Sequence, residues 1–299
     1  MRIALFIDVL SAFFRAYHAL PSLGYEGKQL GGVYGFTRML IRAVRDFKPQ
    51  VIVAFQDKGK SSRDKMDIRY KANRPKPLPE VRYQIGLIGR LLDSLDIPLI
   101  RREGYEADDL IVAYTEKAVE SFPNLVLFIL TGDKDLLSLT CYPKVKVILM
   151  RKGVTDFEVY DRKRFEREYG FPPDYYLYYK AIVGDPSDNV KGVRSLGKKR
   201  ATKLIVSAIN SSNDREPEIV LEELLRAHGQ DAVEKFRHNI RLLRPSPIPV
   251  NEEDVKAVLN SEFKGLTSEN FVNFLKEVNF KSILKGLGIE VTGVQGKLF

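Results

Sequence analysis

Residues 125–135, with the sequence LVLFILTGDKD, combine an unbroken apolar run with two carboxylates that follow it directly. A short apolar run that ends at a turn is typical of a strand buried on both faces of a sheet. Similar apolar runs at residues 3–7, 51–55 and 145–149 predict further buried strands. The chain therefore contains several strands of the kind found in parallel sheets.

Amphipathic helices are predicted between these strands, because apolar residues recur at helical spacing in residues 33–47, 81–95 and 107–122. A further short strand is predicted at residues 99–100. After about residue 160 the strand signals fade, and the sequence favours helices separated by turn clusters. We therefore predict an α/β fold, with a mostly parallel central sheet covered by helices on both faces, followed by an all-helical region.

The composition limits the functional class of the chain. Its 299 residues suffice for one or two domains. The 48 basic and 39 acidic side chains give a net charge of +9, which favours a polyanionic partner such as nucleic acid. No apolar run approaches the roughly 18 residues of a membrane span, the start does not resemble a signal peptide, and Cys141 is the single cysteine. We expect a cytoplasmic monomer without disulfides or contact with a membrane.

Carboxylates follow the predicted strands at the edge where ligands bind in open α/β sheets. They stand at the end of the first strand and in the motifs at residues 104–109 and 131–135, and a further pair stands in the motif at 184–189, after an apolar helix predicted at residues 175–183. Crowded carboxylates require protons or cations, and oxygen ligands without histidine or cysteine suit Mg²⁺ or Mn²⁺. The predicted ligands, for two ions about 4 Å apart, are Asp8, Glu106, Asp108, Asp109, Asp133, Asp135, Asp185 and Asp188.

Two other interpretations of these acids compete with a metal site. A single aspartate after a strand is often only a helix cap, and Asp109 or Asp188 could serve in that way. Capping alone does not account for four acidic motifs at matching topological positions. A phosphatase with an aspartyl nucleophile would need a second acid two places after Asp8, where the chain has Leu10.

Two basic segments accompany the acidic motifs. Residues 58–76 carry eight lysines and arginines against two aspartates, directly after the second predicted strand and so beside the carboxylates. In residues 192–201, glycines bracket a short turn and cations follow on the next helix, as in a helix-hairpin-helix element that binds phosphates through backbone N–H groups. Each segment alone is also compatible with a solvated surface, and Gly197 with an ordinary helix cap. Next to a metal site, however, a positive segment is what a phosphate backbone would need.

Four motifs, in this order and at this spacing, point to a known family. They are YKANRP at residues 70–75, GYEADD at 104–109, TGDKD at 131–135 and GDPSDN at 184–189. With them, residues 2–288 resemble the bacterial 5′-3′ exonuclease domain of DNA polymerase I, within the flap endonuclease superfamily. The resemblance implies a PIN-like flap-nuclease fold and a stand-alone, metal-dependent nuclease that cuts 5′ flaps and digests DNA from 5′ to 3′ in replication and repair.

The resemblance also implies roles for individual residues. Lys71 and Arg74 match arch cations that contact the scissile phosphate and act in catalysis, and Tyr70 matches a position where a base stacks. The eight carboxylates match the metal ligands of the family, and a backbone-bound K⁺ is implied at the helix-three-turn-helix of residues 184–206. Further DNA contacts are expected from Arg63, Lys191, Arg194, Lys198, Lys199 and Arg200.

On this basis we expect the chain to divide into three parts. Residues 1–175 form the α/β nuclease domain, in which residues 57–80 are an arch over the active site. Residues 176–290 form a helical DNA-binding domain, and residues 291–299 form a tail. The tail ends in QGKLF, which resembles the short peptides that bind the bacterial sliding clamp. Its expected anchors are Gln295, Leu298 and Phe299.

Three positions depart from the family pattern. Gln56 follows Phe55 where an aspartate is usual, and Asp57 comes one place later, so either Asp57 reaches back or a neutral amide lies at the site. Val9 replaces the glycine after the first aspartate. Ser195 replaces a hairpin glycine, which a serine can do only if its φ stays negative. These departures keep an alternative open, a DNA-binding relative with weakened or lost catalysis.

Overall fold

The computed structural model describes residues 2–73, 78–151, 153–154, 156–211 and 215–290. The strands of these residues are β1 (Arg2–Asp8), β2 (Gly24–Tyr25), β3 (Lys28–Gln29), β4 (Val51–Phe55), β5 (Leu99–Ile100), β6 (Leu125–Thr131), β7 (Val145–Met150), β8 (Phe157–Tyr160), β9 (Gly184–Asp185) and β10 (Val190–Lys191). The longer strands β1, β4, β6 and β7 are largely buried, as in other α/β folds.

Helices cover the sheet and dominate the second half of the chain. They are α1 (Val9–Ala19), α2 (Gly31–Phe47), α3 (Ser62–Met66), α4 (Pro79–Ser94), α5 (Ala107–Ser121), α6 (Arg162–Tyr169), α7 (Tyr176–Val183), α8 (Lys198–Ser211), α9 (Pro217–Arg226), α10 (Gln230–Leu243), α11 (Glu252–Leu259), α12 (Glu269–Glu277) and α13 (Lys281–Gly286). Short 3₁₀ turns lie at Asp135–Cys141 and Pro173–Tyr175. Within the described residues, no helix has the length and apolar content that crossing a bilayer requires.

The central sheet has the strand order β5-β4-β1-β6-β7-β8, and its neighbours are parallel except for β7 and β8. The prediction of an α/β fold with a mostly parallel sheet is confirmed. The chain builds the sheet outward from β1, first to one side and then to the other. Such a change of direction leaves a crevice at the carboxyl ends of the adjacent strands, where ligands bind.

The strand register aligns the carboxyl ends of the three central strands, β1, β4 and β6, at one edge of the sheet. Asp8 of β1 pairs with Phe55 of β4, and Ile7 pairs with Leu130 of β6. The residues that follow these strands therefore start from the same edge of the sheet. This edge includes the acidic motif after β6 and the loop after β4.

Two hydrophobic clusters sandwich the sheet. Side chains alternate along β1, so that Phe6 packs in the cluster that contains α5, whereas Ile7 packs in the cluster that contains α2 and α4. Because both faces of the central strands are buried, the sequence of each of these strands is an unbroken apolar run.

The helices after β8 pack on two different faces of the sheet. Side chains of α7 to α11 join the cluster with α5, whereas α12 and α13 return to the opposite face. There Tyr34 of α2 meets Phe280 with ring centroids 5.1 Å apart, and Arg90 of α4 forms a bidentate ion pair with Glu277 at 2.9 and 2.5 Å. The last two helices are thus attached to the α/β layer.

Candidate metal centre

The end of β1 places Asp8 at the junction between the strand and α1. Asp8 Oδ1 accepts a hydrogen bond from the Ser11 backbone N–H (3.1 Å) and so caps the helix, while Oδ2 accepts one from the Thr131 hydroxyl (2.9 Å). Burial, together with the nearby Asp57 carboxylate, raises the pKa of Asp8 to about 7. A buried carboxylate of this kind is stabilised by any cation that binds beside it.

Asp57 enters the same centre from the loop after β4. Its Oδ1 accepts a hydrogen bond from the backbone N–H of Ala107 (2.7 Å), the first residue of α5. Burial raises the pKa of Asp57, and the neighbouring Glu106 carboxylate adds to this effect. Of the two possibilities raised by Gln56, the one observed is that Asp57 reaches the acidic centre. The sequence indicated Asp57 only as an acid shortly after a predicted strand. It did not show which of the residues after that strand would point toward the acidic motifs.

Three carboxylates at the start of α5, which we call the α5 cluster, are Glu106, Asp108 and Asp109, with ligand atoms within 4.8 Å of one another. Glu106 is the N-cap of the helix, and its backbone N–H donates to Asp109 Oδ2 (3.1 Å) in a capping box. Asp109 Oδ1 accepts a hydrogen bond from the Ser246 N–H (2.7 Å), and Asp109 is fully buried. Asp109 Oδ2 therefore takes part in capping α5, whereas Oδ1 binds the distant backbone of Ser246.

Arg63 of α3 lies against the α5 cluster. Its guanidinium is 2.8 Å from Glu106 and 2.9 Å from Asp108, and it also pairs with Asp109. Although burial favours the neutral form, these carboxylates hold the pKa of Arg63 above its usual range. Lys71 adds a second cation, 2.8 Å from Glu106. Arg63 is 3% exposed, so the DNA contact expected of it does not fit this conformation, in which its charge is turned inward.

The second group of carboxylates, which we call the β9 cluster, consists of Asp135, Asp185 and Asp188, again within 4.8 Å. Lys180 of α7 pairs with both Asp135 and Asp185. Burial, followed by the Asp133 carboxylate, raises the pKa of Asp135 to about 7. Burial also acts to raise the pKa of Asp185, but the Lys180 ammonium and the hydrogen bonds from Ser187 together outweigh it and lower that pKa. Lys180 was not predicted, although a lone lysine in the apolar helix YLYYKAIV was a signal for it.

Tyr70 and Asp133 connect the two clusters. The Tyr70 hydroxyl is 3.2 Å from Glu106 of the α5 cluster and 3.2 Å from Asp188 of the β9 cluster. Burial raises the pKa of Asp133, and Asp108 and Asp188, one from each cluster, both add to this effect. The two clusters therefore form one acidic centre. Because Tyr70 is only 4% exposed, the base-stacking role expected of it does not fit this conformation.

The eight predicted carboxylates all lie in this centre, and Asp57 joins them. In the part of the chain that the structure describes, the α5 and β9 clusters are the groups able to hold a metal ion, and neither contains histidine or cysteine. Coordination by any individual carboxylate stays a prediction. Four further predicted contact residues lie outside the described residues, namely Arg74, Gln295, Leu298 and Phe299.

The hairpin β9–β10 and the turn after it carry the second basic segment. A Cβ on Gly184 (φ +86°) would lie 2.3 Å from the backbone N of Gly192, so only glycine permits this close approach. Ser195 has φ +65°, so the condition for a serine in this turn, a negative φ, is not met, and Arg200 donates to the Ser195 carbonyl at 2.8 Å. The predicted DNA-binding cations here are exposed; they are Lys191, Arg194, Lys198, Lys199 and Arg200.

Comparisons with known proteins find relatives over most of the chain. The family model for the N-terminal, resolvase-like domain of 5′-3′ exonucleases matches residues 3–170. A 5′-3′ exonuclease of Aquifex aeolicus is 31% identical over 95% of this chain and 95% of its own length. A DNA polymerase I of Bacillus caldotenax is 33% identical over 93% of this chain, which spans only 32% of that polymerase.

A solved structure shares the fold. A flap endonuclease of bacteriophage T5, in a pseudo-enzyme–product complex with DNA and metal ions, superposes with a TM-score of 0.53 at 20% identity. The superposition covers 81% of this chain and 99% of that one.

Proposed function

Because the chain belongs to the 5′-3′ exonuclease family, we propose that its acidic centre is the active site of a structure-specific nuclease that cuts DNA at 5′ flaps and 5′ ends. The observation that carries this proposal is the meeting of the α5 and β9 clusters, in which Glu106 and Asp188 share the Tyr70 hydroxyl. Lysine and arginine beside the same carboxylates supply the positive charge that a phosphodiester needs.

The donor set of this centre fits Mg²⁺ or Mn²⁺, and we assign two ions to the two clusters. The clusters offer only carboxylate oxygens, which these hard ions prefer. Asp8 and Asp135 have pKa values raised to about 7 by burial, so each is stabilised by a cation. When bound, two such ions activate a water molecule and stabilise the leaving oxygen of a phosphodiester.

The protein's own residues orient this chemistry. Glu106 and Asp108 from the α5 cluster, and Asp185 and Asp188 from the β9 cluster, hold the ions. Asp133, whose pKa is raised by burial and by Asp108 and Asp188 of the two clusters, is a further ligand where the clusters meet. Asp8, Asp109 and Asp135 complete the ligand set or fix its geometry through the contacts described above.

We assign Lys71 to the scissile phosphate. Its ammonium lies 2.8 Å from Glu106, and its backbone N–H donates to the Asp188 carbonyl at 3.1 Å. Lys71 also has φ +52°, a conformation that a non-glycine residue keeps only where its surroundings fix it. A cation held across both clusters stabilises the charge that develops on the phosphate. Arg74 is assigned the same role from the sequence alone.

The finer partners are assigned mainly from the sequence. The exposed cations of β10 and α8 bind duplex DNA. A K⁺ ion bound by backbone carbonyls stabilises the turn between β10 and α8. The protein acts as a cytoplasmic monomer, and the QGKLF tail binds a sliding clamp. Titration of the cognate clamp with the full chain and with a variant lacking residues 295–299 tests the last assignment, and equal binding by both would reject it.

A labelled duplex with a 5′ flap tests the proposed activity directly. We expect cleavage near the junction only when Mg²⁺ is present. Asp133→Asn or Asp185→Asn should slow cleavage at least about a hundredfold, because a lost ligand forfeits several kcal/mol of charge stabilisation. Asp231→Asn, at an exposed carboxylate of α10, is the matched control and should cleave normally. Tight binding without cleavage at any metal concentration would instead favour the DNA-binding relative.

A further inference from the structure

Asn239 of α10 is a polar side chain that is completely buried. Its Nδ2 donates two hydrogen bonds, one to the carbonyl of Ala181 in α7 (2.8 Å) and one to the carbonyl of Lys191 in β10 (2.9 Å). Because both partners are acceptors, they fix the orientation of the amide. Asn239 belongs neither to the predicted metal ligands nor to the predicted DNA contacts, so the function described above leaves this amide without a role.

The two carbonyls lie at opposite ends of the segment that carries the β9 cluster. Ala181 is in the last turn of α7, before the hairpin β9–β10, and Lys191 is the last residue of β10. Asp185 and Asp188 lie between these two points. A single amide therefore closes the base of the loop that holds two of the predicted metal ligands. It also fixes the backbone of the strand from which the exposed side chain of Lys191 projects.

The amide also completes the end of α7. The last carbonyls of an α-helix have no partner within the helix and need donors from elsewhere. The Ile182 carbonyl accepts a hydrogen bond from the backbone N–H of Val193 (2.8 Å), just beyond the hairpin, and the Ala181 carbonyl accepts the one from Asn239. Since Asn239 belongs to a separate helix, it fixes the hairpin relative to α10 as well as to α7.

The other atom of the amide shows that packing alone does not explain an asparagine at this position. Asn239 Oδ1 is buried and has no hydrogen-bond partner among the described residues. A buried acceptor without a donor costs stability. A leucine of similar shape would fill the same space without that cost. The feature that an asparagine adds here is its pair of donated hydrogen bonds.

We propose that Asn239 is a positioning residue of the acidic centre, whose amide holds the hairpin β9–β10 so that Asp185 and Asp188 face the α5 cluster. The proposal rests on the proposed function, because it assumes that the β9 cluster holds one of the two ions. Without the two hydrogen bonds the hairpin loosens, and binding of this ion must then also order its ligands. That ordering costs part of the binding free energy.

Calorimetric titration of the full chain with Mn²⁺ compares wild type with Asn239→Leu, which removes both donors and keeps a similar volume. We expect one ion to bind about tenfold more weakly and the other to stay within about twofold of wild type. Asn239→Ser, whose short hydroxyl cannot bind both carbonyls, should give the same pattern and replaces the leucine variant if that variant does not fold. Thr115→Val in α5 is the matched control, because Thr115 Oγ1 is also buried without a partner among the described residues. It should bind both ions like wild type.

Hydrogen exchange of the metal-free protein measures the hairpin itself. In the Asn239 variants, residues 184–193 should exchange faster than in wild type, and residues 107–121 should not. Unchanged protection of residues 184–193 would overturn the proposal. So would wild-type affinity for both ions, or equal weakening of both, in a folded Asn239 variant, because a purely structural role changes only the free energy of unfolding. Wild-type protein that binds no Mn²⁺ would instead reject the metal centre, so the two failures are distinguishable.

Discussion

The α5 cluster and the β9 cluster contain three carboxylates each, yet the protein neutralises them in different ways. The α5 cluster is met by Arg63 and Lys71, both from the arch segment at residues 57–80. The β9 cluster is met by Lys180, which projects from α7, a helix whose side chains pack in the core. The α5 cluster therefore takes its positive charge from the arch segment, whereas the β9 cluster takes it from a core helix, at a lysine five residues from Asp185 and 45 residues from Asp135.

This difference shows that the two halves of the acidic centre are organised to different degrees. Lys180 is five residues from Asp185 along the chain, so its ion pair is set by the end of α7. Lys71 and Arg63 are 35 and 43 residues from Glu106, and their ion pairs depend on where the arch lies. Movement of the arch should remove both cations from the α5 cluster, whereas at the β9 cluster it should break the contacts of Tyr70 and Lys71 with Asp188 and leave Lys180 in place.

The largest effect is expected from Arg63→Gln in the absence of metal. Removal of this cation leaves buried carboxylates uncompensated, which should lower the free energy of unfolding by about 3–5 kcal/mol. It should also release the arch, which would make its lysines accessible to trypsin. Urea unfolding and limited proteolysis, both in EDTA, measure the two effects. Saturating Mg²⁺ should recover part of the lost stability.

Lys180→Gln is the matched variant for the β9 cluster. It should also destabilise the metal-free protein, because Asp135 and Asp185 lose their shared cation. The arch should stay as resistant to trypsin as in wild type. If Lys180→Gln exposes the arch as much as Arg63→Gln does, the two clusters are not organised differently.

A smaller effect is expected at Asp8, between the two clusters, and it depends on pH. The native pKa of about 7 lies above the usual value, so the native state holds this proton at pH values where the unfolded chain has released it. The stability contributed by the group is therefore present near pH 4 and is lost as the pH rises to about 7. Relative to wild type, metal-free Asp8→Asn should gain about 2–4 kcal/mol between pH 4.5 and pH 8. A difference in unfolding free energy that stays constant with pH would contradict this.

The smallest effect is expected at Asp57, which approaches the α5 cluster from β4. Asp57→Asn keeps an oxygen that can accept the Ala107 hydrogen bond but removes the charge. We expect the Mg²⁺ concentration for half-maximal cleavage to rise about 5- to 10-fold, which is about 1–1.4 kcal/mol. Gln56→Asp should not lower that concentration, because Asp57 already supplies the acid. A clear decrease with Gln56→Asp would show that the site lacks a ligand there.

Most of the sheet could be predicted because its strands are buried on both faces. The apolar runs located β1, β4, β6 and β7, and the bounds of β4 and β5 agree with the structure. α1 was not predicted, since it follows β1 without a break in apolar residues and only Asp8 marks the boundary. β8, the antiparallel edge strand, is half-buried and short, so its sequence gives little periodicity.

The carboxylates of the acidic centre could be predicted from the sequence, but the cations that pair with them could not. Parallel strands deliver carboxylates to one edge whatever the details of packing, so six of the eight acids followed from topology, whereas Asp185 and Asp188 follow the helix α7 and were assigned from the motif at residues 184–189. Which cation meets which acid depends instead on tertiary placement. Arg63 and Tyr70 were expected to face DNA, yet they lie among the carboxylates because the arch packs against α5. Lys180 was missed because the other residues of its helix are mostly apolar and predict a helix of the hydrophobic core.

Titration with Mn²⁺, followed by calorimetry, is the most direct test that the two clusters form one metal centre. Wild type should bind two ions, and Asp108→Asn and Asp185→Asn, one variant in each cluster, should each weaken binding at least about tenfold, or about 1.4 kcal/mol. Asp231→Asn should bind like wild type. Unchanged affinity and stoichiometry in both cluster variants would contradict a metal centre at these carboxylates.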